Sequence, residues 1–227
     1  MKQTPESVLV IDIGGTHVKI LVTGQAKRRD FDSGPTLTPQ LMVSGVLGIV
    51  GDWKYDAISI GYPGPVVNNR PAIEPHNLGQ GWVDFDYEQA FGHPVQMIND
   101  AAMQALGCYE GKKLLFIGLG TGLGTAMVSK EGNVEPLELA HLPYKKGTFE
   151  DYVGLRGLKR FGKKRWKDEV ARLISLFRAA LLPEEVVLGG GNAKLFKELP
   201  AGCRRVKNAN AFSGGFRLWE KPSALSS

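Results

Sequence analysis

The sequence predicts an α/β fold made of two similar lobes around a cleft. A strand, a glycine turn and a second strand occur at residues 8–22 and again at residues 114–128, and helical and strand patterns alternate after each. We therefore expect one lobe over residues 1–102 and another over residues 103–227. A last helix, at about 209–219, can pack back on the first lobe. Two unrelated hairpins would leave the same local pattern.

Apolar periodicity and turn residues define the elements of the first lobe. Residues 7–13 are almost all β-branched or Leu, as in a buried strand, and the glycines at 14–15 turn the chain into a second strand. A cap at Thr36 or Thr38 and apolar residues at Leu41, Val46, Leu47 and Val50 predict a helix over residues 38–50. The pattern then predicts a strand at 56–60, a helix at 86–91, a strand at 94–98 and a helix at 100–108.

The second lobe repeats this order with longer helices. Strands at residues 113–117 and 125–129 flank the glycine-rich stretch 118–124. The longest helix is predicted at 164–182, where apolar residues recur on one stripe. A strand at 185–188, a helix at 192–199 and the closing helix complete the lobe, and the polar tail 222–227 is predicted to fray.

Bulk composition favours a cytoplasmic globular protein with an anionic partner. The 227 residues are 43% hydrophobic and 22% charged, which suits a chain with a buried core. The net charge of +5 favours partners such as nucleotides, polyphosphate or nucleic acid. Cys108 and Cys203 lie far apart without ligand-like spacing, so reduced thiols are expected. The N-terminus has no secretory pattern and no apolar run approaches the roughly 18 residues of a membrane span.

Three glycine segments could cradle phosphate groups. We call residues 14–16, 118–124 and 189–192 the first, second and third glycine segments. Backbone N–H groups bind phosphate oxygens where no Cβ blocks the approach, and the third segment also opens a predicted helix, whose dipole favours an anion. The spacing excludes a P-loop and disfavours a dinucleotide site. The candidate phosphate contacts are Gly14, Gly15, Thr16, Lys19, Gly120, Thr121, Gly122, Gly190, Gly191 and Asn192.

Asp12 stands inside the first apolar strand, where an unpaired carboxylate is costly. It could cap the glycine turn that follows, or it could position hydrated Mg²⁺ beside a transferring phosphate. Lys19 could likewise be a solvated strand residue or a phosphate contact.

The motifs together resemble those of the ROK family of sugar kinases. Residues 12–19 resemble the family's first phosphate motif, residues 118–124 its second and residues 189–191 its adenosine-side motif. In the family's order, residues 60–66 resemble the hinge-side turn, 77–82 the sugar loop and 98–102 the segment that bears the catalytic Asp. The resemblance covers nearly the whole chain and is greatest to the polyphosphate glucokinase branch. It implies the actin-like ATPase (ribonuclease H-like) fold.

The resemblance implies a hexose kinase that transfers a phosphoryl group from polyphosphate or ATP, with Mg²⁺, to the 6-hydroxyl of glucose. It assigns Asp100 as the general base, although an N-cap of the following helix is the plain alternative. Convergent polar side chains would bind the sugar hydroxyls. By resemblance these are Asn77, Asn99, Glu138, His141 and Glu150. A homodimer is implied in the same way.

The sequence departs from the family pattern in three places. No cysteine lies between His141 and Glu150, so no structural zinc is expected, as in the polyphosphate branch. Ala140 replaces the usual glycine of the E-x-G-H motif, which is a small change if its φ is negative. The stretch before Gly189 is also shorter than in typical members, which leaves the choice between ATP and polyphosphate open.

A basic run precedes the third glycine segment. It comprises Lys159, Arg160, Lys163, Lys164, Arg165 and Lys167, with Lys145 and Lys146 upstream. A solvated helix face explains such a run, and a track for a long polyanion such as polyphosphate is the functional alternative. Nucleic acid is not expected, because aromatic residues within the run are limited to Phe161 and Trp166.

The candidate site residues are compatible with two other functions. The same polar side chains would serve another hexose or an N-acetylhexosamine. A non-catalytic sugar-binding regulator is an alternative of another class. The family's repressors carry an N-terminal DNA-binding domain, for which no room is expected before a strand that begins by about residue 7. Retention of both Asp12 and Asp100 favours the enzyme.

Overall fold

The structure is a computed structural model that describes residues 4–206 and 210–220. The chain forms two compact units. The first contains residues up to Met103 together with those from Ala211 onward, and the second is Gln104–Asn210. The start of the predicted closing helix, Ala209, and the tail predicted to fray at 222–227 lie outside the described residues.

The elements up to the unit boundary, in chain order, are β1 (Val8–Ile13), β2 (His17–Val22), β3 (Arg29–Asp32), α1 (Pro39–Val50), β4 (Ala57–Tyr62), β5 (Val66–Val67), β6 (Arg70–Pro71), α2 (Tyr87–Phe91), β7 (Val95–Asn99) and α3 (Asp100–Cys108). The later elements are β8 (Leu114–Leu119), β9 (Leu123–Val128), β10 (Val134–Leu137), β11 (Pro143–Tyr144), β12 (Gly147–Thr148), α4 (Phe149–Val153), α5 (Leu155–Leu181), β13 (Glu185–Gly189), β14 (Cys203–Arg205) and α6 (Asn210–Arg217). Single 3₁₀ turns occur at Leu139–His141 and Gly191–Leu195.

Each unit is built on a five-stranded sheet of the same topology. The order is β3-β2-β1-β4-β7 in the first unit and β10-β9-β8-β13-β14 in the second. In both, the first three strands in sequence form an antiparallel meander and the last two are parallel to the first of them. The predicted α/β class and the predicted internal repeat are therefore confirmed.

Helices cover both faces of the first sheet. All six residues of β1 are buried, as its central position requires. On one face, α1 packs against the sheet and begins at the predicted cap, where the Thr38 side chain accepts a hydrogen bond from Leu41 N. On the other face, Phe212 of α6 packs with Val8 and Val10. The Ser59 hydroxyl donates to Gly215 O at 2.6 Å, which ties α6 to this sheet.

The predicted core face of α1 is confirmed in part, because Val46 and Val50 are buried as predicted. Leu41 and Leu47 are 54% and 45% exposed, whereas Met42, Val43, Val46 and Val50 are buried. The buried set follows the i, i+4, i+8 spacing from Met42, so the apolar stripe is rotated by about one residue from the predicted stripe.

Two helices of the second unit also differ. The predicted 164–182 helix begins earlier, at Leu155, and its axis is interrupted at Gly162, whose φ of 73° and ψ of 166° are non-helical. The predicted 192–199 helix is wrong: a 3₁₀ turn ends at Leu195. Phe196 packs against Trp166 at a ring distance of 5.7 Å, so a tertiary contact overrides the local helical pattern.

Candidate functional site

Parallel strands bring two predicted site residues to one edge of the first sheet. Asp12 of β1 pairs with Gly61 of β4, and Gly61 pairs with Ile98 of β7, two residues before Asp100. The carboxyl ends of parallel strands meet at the same edge of a sheet, which is where α/β proteins bind ligands. Within this unit, the carboxylates of Asp12 and Asp100 therefore belong to one edge.

Asp12 is not an unpaired carboxylate. It is 6% exposed, and its Oδ2 lies 3.1 Å from Nζ of Lys19, the residue opposite it on β2. The ion pair explains how the carboxylate can be buried. A cap of the glycine turn or a metal ion was the partner considered from sequence. A carboxylate of this kind suits Mg²⁺, which keeps several waters and takes one or two protein carboxylates together with phosphate oxygens.

The first glycine segment forms a tight turn with an exposed tip. Gly14 N donates to His17 O at 3.0 Å, and the Ser33 hydroxyl donates to Gly14 O at 2.6 Å. Gly15 and Thr16 are exposed at the tip. The Gly14 N–H is therefore used within the turn, and Gly15 and Thr16 form the exposed part of the segment. Ser33, which sequence reasoning missed, carries no motif signal.

The predicted base and its neighbour sit at the start of α3. Asn99, not Asp100, supplies the main helix cap, because its Oδ1 accepts from Ala101 N at 2.9 Å and from Ala102 N at 3.1 Å. Its Nδ2 also donates to Gly64 O at 3.1 Å. Asp100 is half-buried, and its Oδ1 accepts from Ala101 N at 2.8 Å. The N-cap role considered for Asp100 therefore belongs mainly to Asn99. The sugar contact of Asn99 stays a prediction.

Loop 77–82, the predicted sugar loop, is anchored by its last residue. Trp82 is fully buried and donates from Nε1 to Gly79 O at 2.9 Å. The Glu74 carboxylate, which sequence reasoning missed, accepts from Trp82 N and Val83 N at 3.1 and 3.2 Å. Asn77 is exposed, and its Cβ lies 3.8 Å from the position that a Cβ on Gly15 would take. The loop and the first glycine segment are therefore neighbours.

The second and third glycine segments meet at the corresponding edge of the second sheet. Gly118 of β8 pairs with Gly189 of β13, and Asn192 Nδ2 donates to Gly120 O at 2.9 Å. A Cβ on Gly190 would lie 2.4 Å from Leu119 O, so glycine is required for this close approach. The two segments form one local structure within the second unit.

The third segment does not gain its anion preference from a helix. It opens a five-residue 3₁₀ turn instead of the predicted helix, so the dipole argument fails. Gly190 has φ 80° and ψ 160°, and Gly191 is exposed beyond it. Its capacity to bind phosphate rests on backbone N–H groups alone.

The remaining predicted sugar contacts lie in the second unit. Glu138 precedes the 3₁₀ turn that contains His141, and their side chains approach to 3.8 Å between Oε2 and Nε2. Both side chains are about half exposed, at 48% and 58%. Ala140 is buried, and its φ is not positive. The backbone at this position therefore does not require glycine, as the prediction supposed.

The Glu150 carboxylate contacts the second glycine segment. Its Oε2 accepts from Leu123 N at 3.0 Å, and a Cβ on Gly122 would collide with the same oxygen. Leu155 N, five residues further along, donates to Thr121 O at 3.0 Å. The sugar contact implied by the resemblance stays a prediction, and the observed contact holds the loop.

We expect Glu150→Ala to raise the KM for the phosphoryl donor about tenfold and the KM for the sugar much less. The variant removes a charge-assisted hydrogen bond to Leu123 N and frees the loop that would hold phosphate. Glu150→Gln keeps an acceptor oxygen and should restore most of the donor KM. Steady-state kinetics with each substrate varied in turn measures both constants. A rise confined to the sugar KM would instead favour the sugar contact.

Lys145, unlike the residues of the basic run on α5, forms an ion pair with a buried carboxylate. Glu169 is 6% exposed, and its Oε2 lies 2.6 Å from Lys145 Nζ and 2.9 Å from the Tyr144 hydroxyl. Burial alone would raise the pKa of Glu169, but the hydrogen bonds from Lys145 and Tyr144 hold it below its usual value. Lys145 is therefore a structural residue, whereas the Lys159 to Lys167 run lies on α5.

Residues 4–206 and 210–220 contain no group of three or more His, Cys, Asp or Glu side chains arranged to hold a metal ion. The expected lack of zinc stays a prediction. Within the same ranges, no helix is both long and apolar enough to cross a membrane. Within the described residues, neither Cys108 nor Cys203 is part of a disulfide.

Comparison with known proteins gives a family and a fold. The profile of the ROK family matches residues 8–134. A glucokinase of Pyrobaculum calidifontis is 24% identical over 204 residues, which cover 78% of this chain. The chain spans 64% of the length of that relative.

Two solved structures share the architecture over almost the whole chain. The inorganic polyphosphate/ATP-glucomannokinase of Arthrobacter sp. strain KM superimposes with a TM-score of 0.79 at 20% identity, covering 96% of this chain and 98% of that one. A ROK family glucokinase of Streptomyces griseus, solved with glucose and AMPPNP, gives a TM-score of 0.75 at 18% identity, with coverages of 93% and 98%. These matches confirm the predicted actin-like ATPase fold.

Proposed function

Because the chain belongs to the ROK family, we propose that it is a hexose kinase that phosphorylates the 6-hydroxyl of glucose. The observation that carries the proposal is the shared edge of the first sheet. At that edge Asp12 is level with Gly61 and Ile98, two residues before Asp100, and the exposed glycine turn lies beside loop 77–82. A carboxylate base, a second carboxylate suited to Mg²⁺ and a phosphate turn are the parts that phosphoryl transfer requires.

Asp100 is the proposed general base. Its carboxylate would accept the proton of the attacking hydroxyl as that oxygen bonds to the terminal phosphorus and the donor's bridging oxygen leaves. Asn99 fixes the start of α3, and so the backbone from which Asp100 projects. Asn77, Asn99, Glu138 and His141 are the proposed contacts of the sugar ring. Glu150 is proposed to hold the second glycine segment through its contact with Leu123 N.

Backbone N–H groups of the three glycine segments are the proposed phosphate contacts. They offer donors without a bulky side chain, and Lys19 adds a cation beside Asp12. Asp12 would hold Mg²⁺ through its waters, and the bound ion would neutralise charge on the transferring phosphate. The proposed donor is polyphosphate or ATP. The similarity to a polyphosphate/ATP-glucomannokinase and to a glucokinase solved with AMPPNP supports both.

A matrix of sugars and donors tests the proposal. Glucose, mannose, N-acetylglucosamine and N-acetylmannosamine are each incubated with ATP, GTP or inorganic polyphosphate in the presence of Mg²⁺, and the sugar phosphate is quantified. We expect the highest kcat/KM with glucose, with ATP or polyphosphate as donor, and loss of turnover when EDTA removes Mg²⁺. Preference for an N-acetylhexosamine would reassign the sugar. Sugar binding without transfer from any donor would favour a regulator.

A homodimer and a cytoplasmic location complete the proposal. Sedimentation at several protein concentrations tests the homodimer, because a monomer at all concentrations would contradict dimer formation.

A further inference from the structure

Glu74 joins the two ends of loop 77–82. It precedes the loop in sequence, yet its carboxylate accepts hydrogen bonds at the far end of the loop, at Oε2 from Trp82 N at 3.1 Å and at Oε1 from Val83 N at 3.2 Å. Each oxygen therefore binds one of two consecutive N–H groups. Hydrogen bonds to a carboxylate are about twice as strong as those between neutral groups, so this contact is suited to hold the loop closed.

Two buried tyrosines hold the same two segments. The Tyr62 hydroxyl donates to Ile73 O at 2.9 Å, directly before Glu74, and the Tyr87 hydroxyl donates to Trp82 O at 3.0 Å. The rings of Tyr62 and Trp82 lie 5.8 Å apart, and both side chains are fully buried. The backbone on either side of the loop is thus bound to side chains of the core, and Glu74 connects the two sides.

Both tyrosines are neutral hydrogen-bond donors. Burial, and then the negative charge of Glu74, raises the pKa of Tyr62. Burial is also the main cause of the raised pKa of Tyr87, with smaller contributions from Tyr62 and Glu74. A tyrosine whose pKa lies above the usual value of about 10 keeps its proton near neutral pH, so neither hydroxyl acts as a base. The cluster therefore supports the loop and is not a second acid–base site.

The supported loop exposes the residue that is proposed to contact the sugar. Gly79, within the loop, is held from two sides, because its O accepts from Trp82 Nε1 and its N donates to Leu37 O, each at 2.9 Å. Asn77 is exposed, and its Cβ lies 3.8 Å from the position that a Cβ on Gly15 would take. The contacts thus fix the backbone close to Asn77 and leave its side chain accessible beside the first glycine segment.

We propose that Glu74 is a positioning residue for sugar binding, which holds Asn77 where it contacts a sugar hydroxyl. The inference rests on the proposed function, in which Asn77 is a sugar contact. It goes beyond that function by assigning a role to a carboxylate that carries no motif signal. A loop that already has its binding conformation loses less entropy when the sugar binds, so loss of the carboxylate contact should appear mainly as weaker sugar affinity.

Glu74→Gln tests the role with little change of side-chain shape. The amide keeps an acceptor oxygen for one of the two N–H groups but turns its own NH2 group towards the other. We expect the KM for glucose to rise about tenfold, with the donor KM and kcat each changed less than about twofold. Steady-state kinetics with each substrate varied in turn measures the three constants.

Glu88→Gln is the matched control. Glu88 Oε1 accepts from Val95 N at 3.2 Å, so this variant weakens the same kind of carboxylate–backbone hydrogen bond in the same unit, at an N–H outside loop 77–82. It should lower the midpoint of thermal unfolding about as much as Glu74→Gln does and change the glucose KM less than about twofold. An equal rise in the glucose KM of both variants would show that general loosening of the unit sets the affinity.

A double-mutant cycle with Asn77→Ala tests whether Glu74 acts through Asn77. In the Asn77→Ala background, Glu74→Gln should raise the glucose KM less than about twofold, because the contact that it positions is already lost. Full additivity of the two effects would overturn the proposal. An unchanged glucose KM in the single variant Glu74→Gln, or an effect that falls mainly on kcat or on the donor KM, would overturn it as well.

The outcome is separable from that of the proposed function. Normal wild-type turnover, together with an unchanged glucose KM in Glu74→Gln, would remove the role of Glu74 and leave the kinase standing. Calorimetric titration with glucose covers the other case. Wild-type binding that weakens about tenfold in Glu74→Gln, with no sugar phosphate formed from any donor, would remove the kinase and keep the positioning role.

Discussion

Asp100→Asn is expected to lower kcat for sugar phosphorylation by about a thousandfold, with little change in sugar affinity. An amide has nearly the size of the carboxylate, and its oxygen can still accept the hydrogen bond from Ala101 N. It cannot take the proton of the attacking hydroxyl. The loss should therefore fall on the chemical step, and steady-state kinetics at saturating sugar and donor measures it.

Asp84→Asn is the matched control for this substitution. Asp84 is an exposed carboxylate in the same unit, so the variant makes the same chemical change at a residue with no assigned role and should turn over normally. Near-normal turnover by Asp100→Asn would remove Asp100 as the base. Joint loss of sugar binding and thermal stability would instead indicate a structural role at the start of α3.

Local patterns predicted the parts of the site that depend on neighbours in sequence. The strands on either side of the first two glycine segments were predicted within one or two residues, because buried β-branched runs and glycines signal them directly. Asp12 was singled out in the same way, since a carboxylate inside an apolar strand is unusual. Asp100 was assigned instead from the resemblance to the ROK family. The N-cap of α1 was narrowed to Thr36 or Thr38 from sequence, and the structure gives Thr38.

Contacts between distant residues were not predictable. Asn192 bonds to Gly120 across 72 residues, and Glu74 accepts from backbone groups that sequence gives no reason to pair with it. The Lys145–Glu169 pair was hidden because each residue looks like an ordinary surface charge. These contacts depend on which strands become neighbours, and that information is spread over the whole chain.

The conformation of Gly190 leads to the second large expected effect. Gly190→Ala should lower the free energy of unfolding by about 3 kcal/mol, because two separate penalties act at one position. The backbone at φ 80° and ψ 160° lies in a region that is nearly exclusive to glycine. The added Cβ would also lie 2.4 to 2.6 Å from the O, C and N atoms of Leu119, which as backbone atoms cannot rotate away. Urea unfolding measures the change.

Gly191→Ala separates this explanation from a general loss of flexibility. Gly191 is the next residue, has no atom within 4 Å of an added Cβ and is not among the positive-φ glycines. The same added methyl group should therefore change the free energy of unfolding by less than about 1 kcal/mol. Equal losses in the two variants would show that lost backbone flexibility, and not the contact with Leu119, sets the cost. A loss confined to Gly190→Ala, with a raised donor KM, would show that the backbone approach of the third glycine segment to the second supports both stability and phosphate binding.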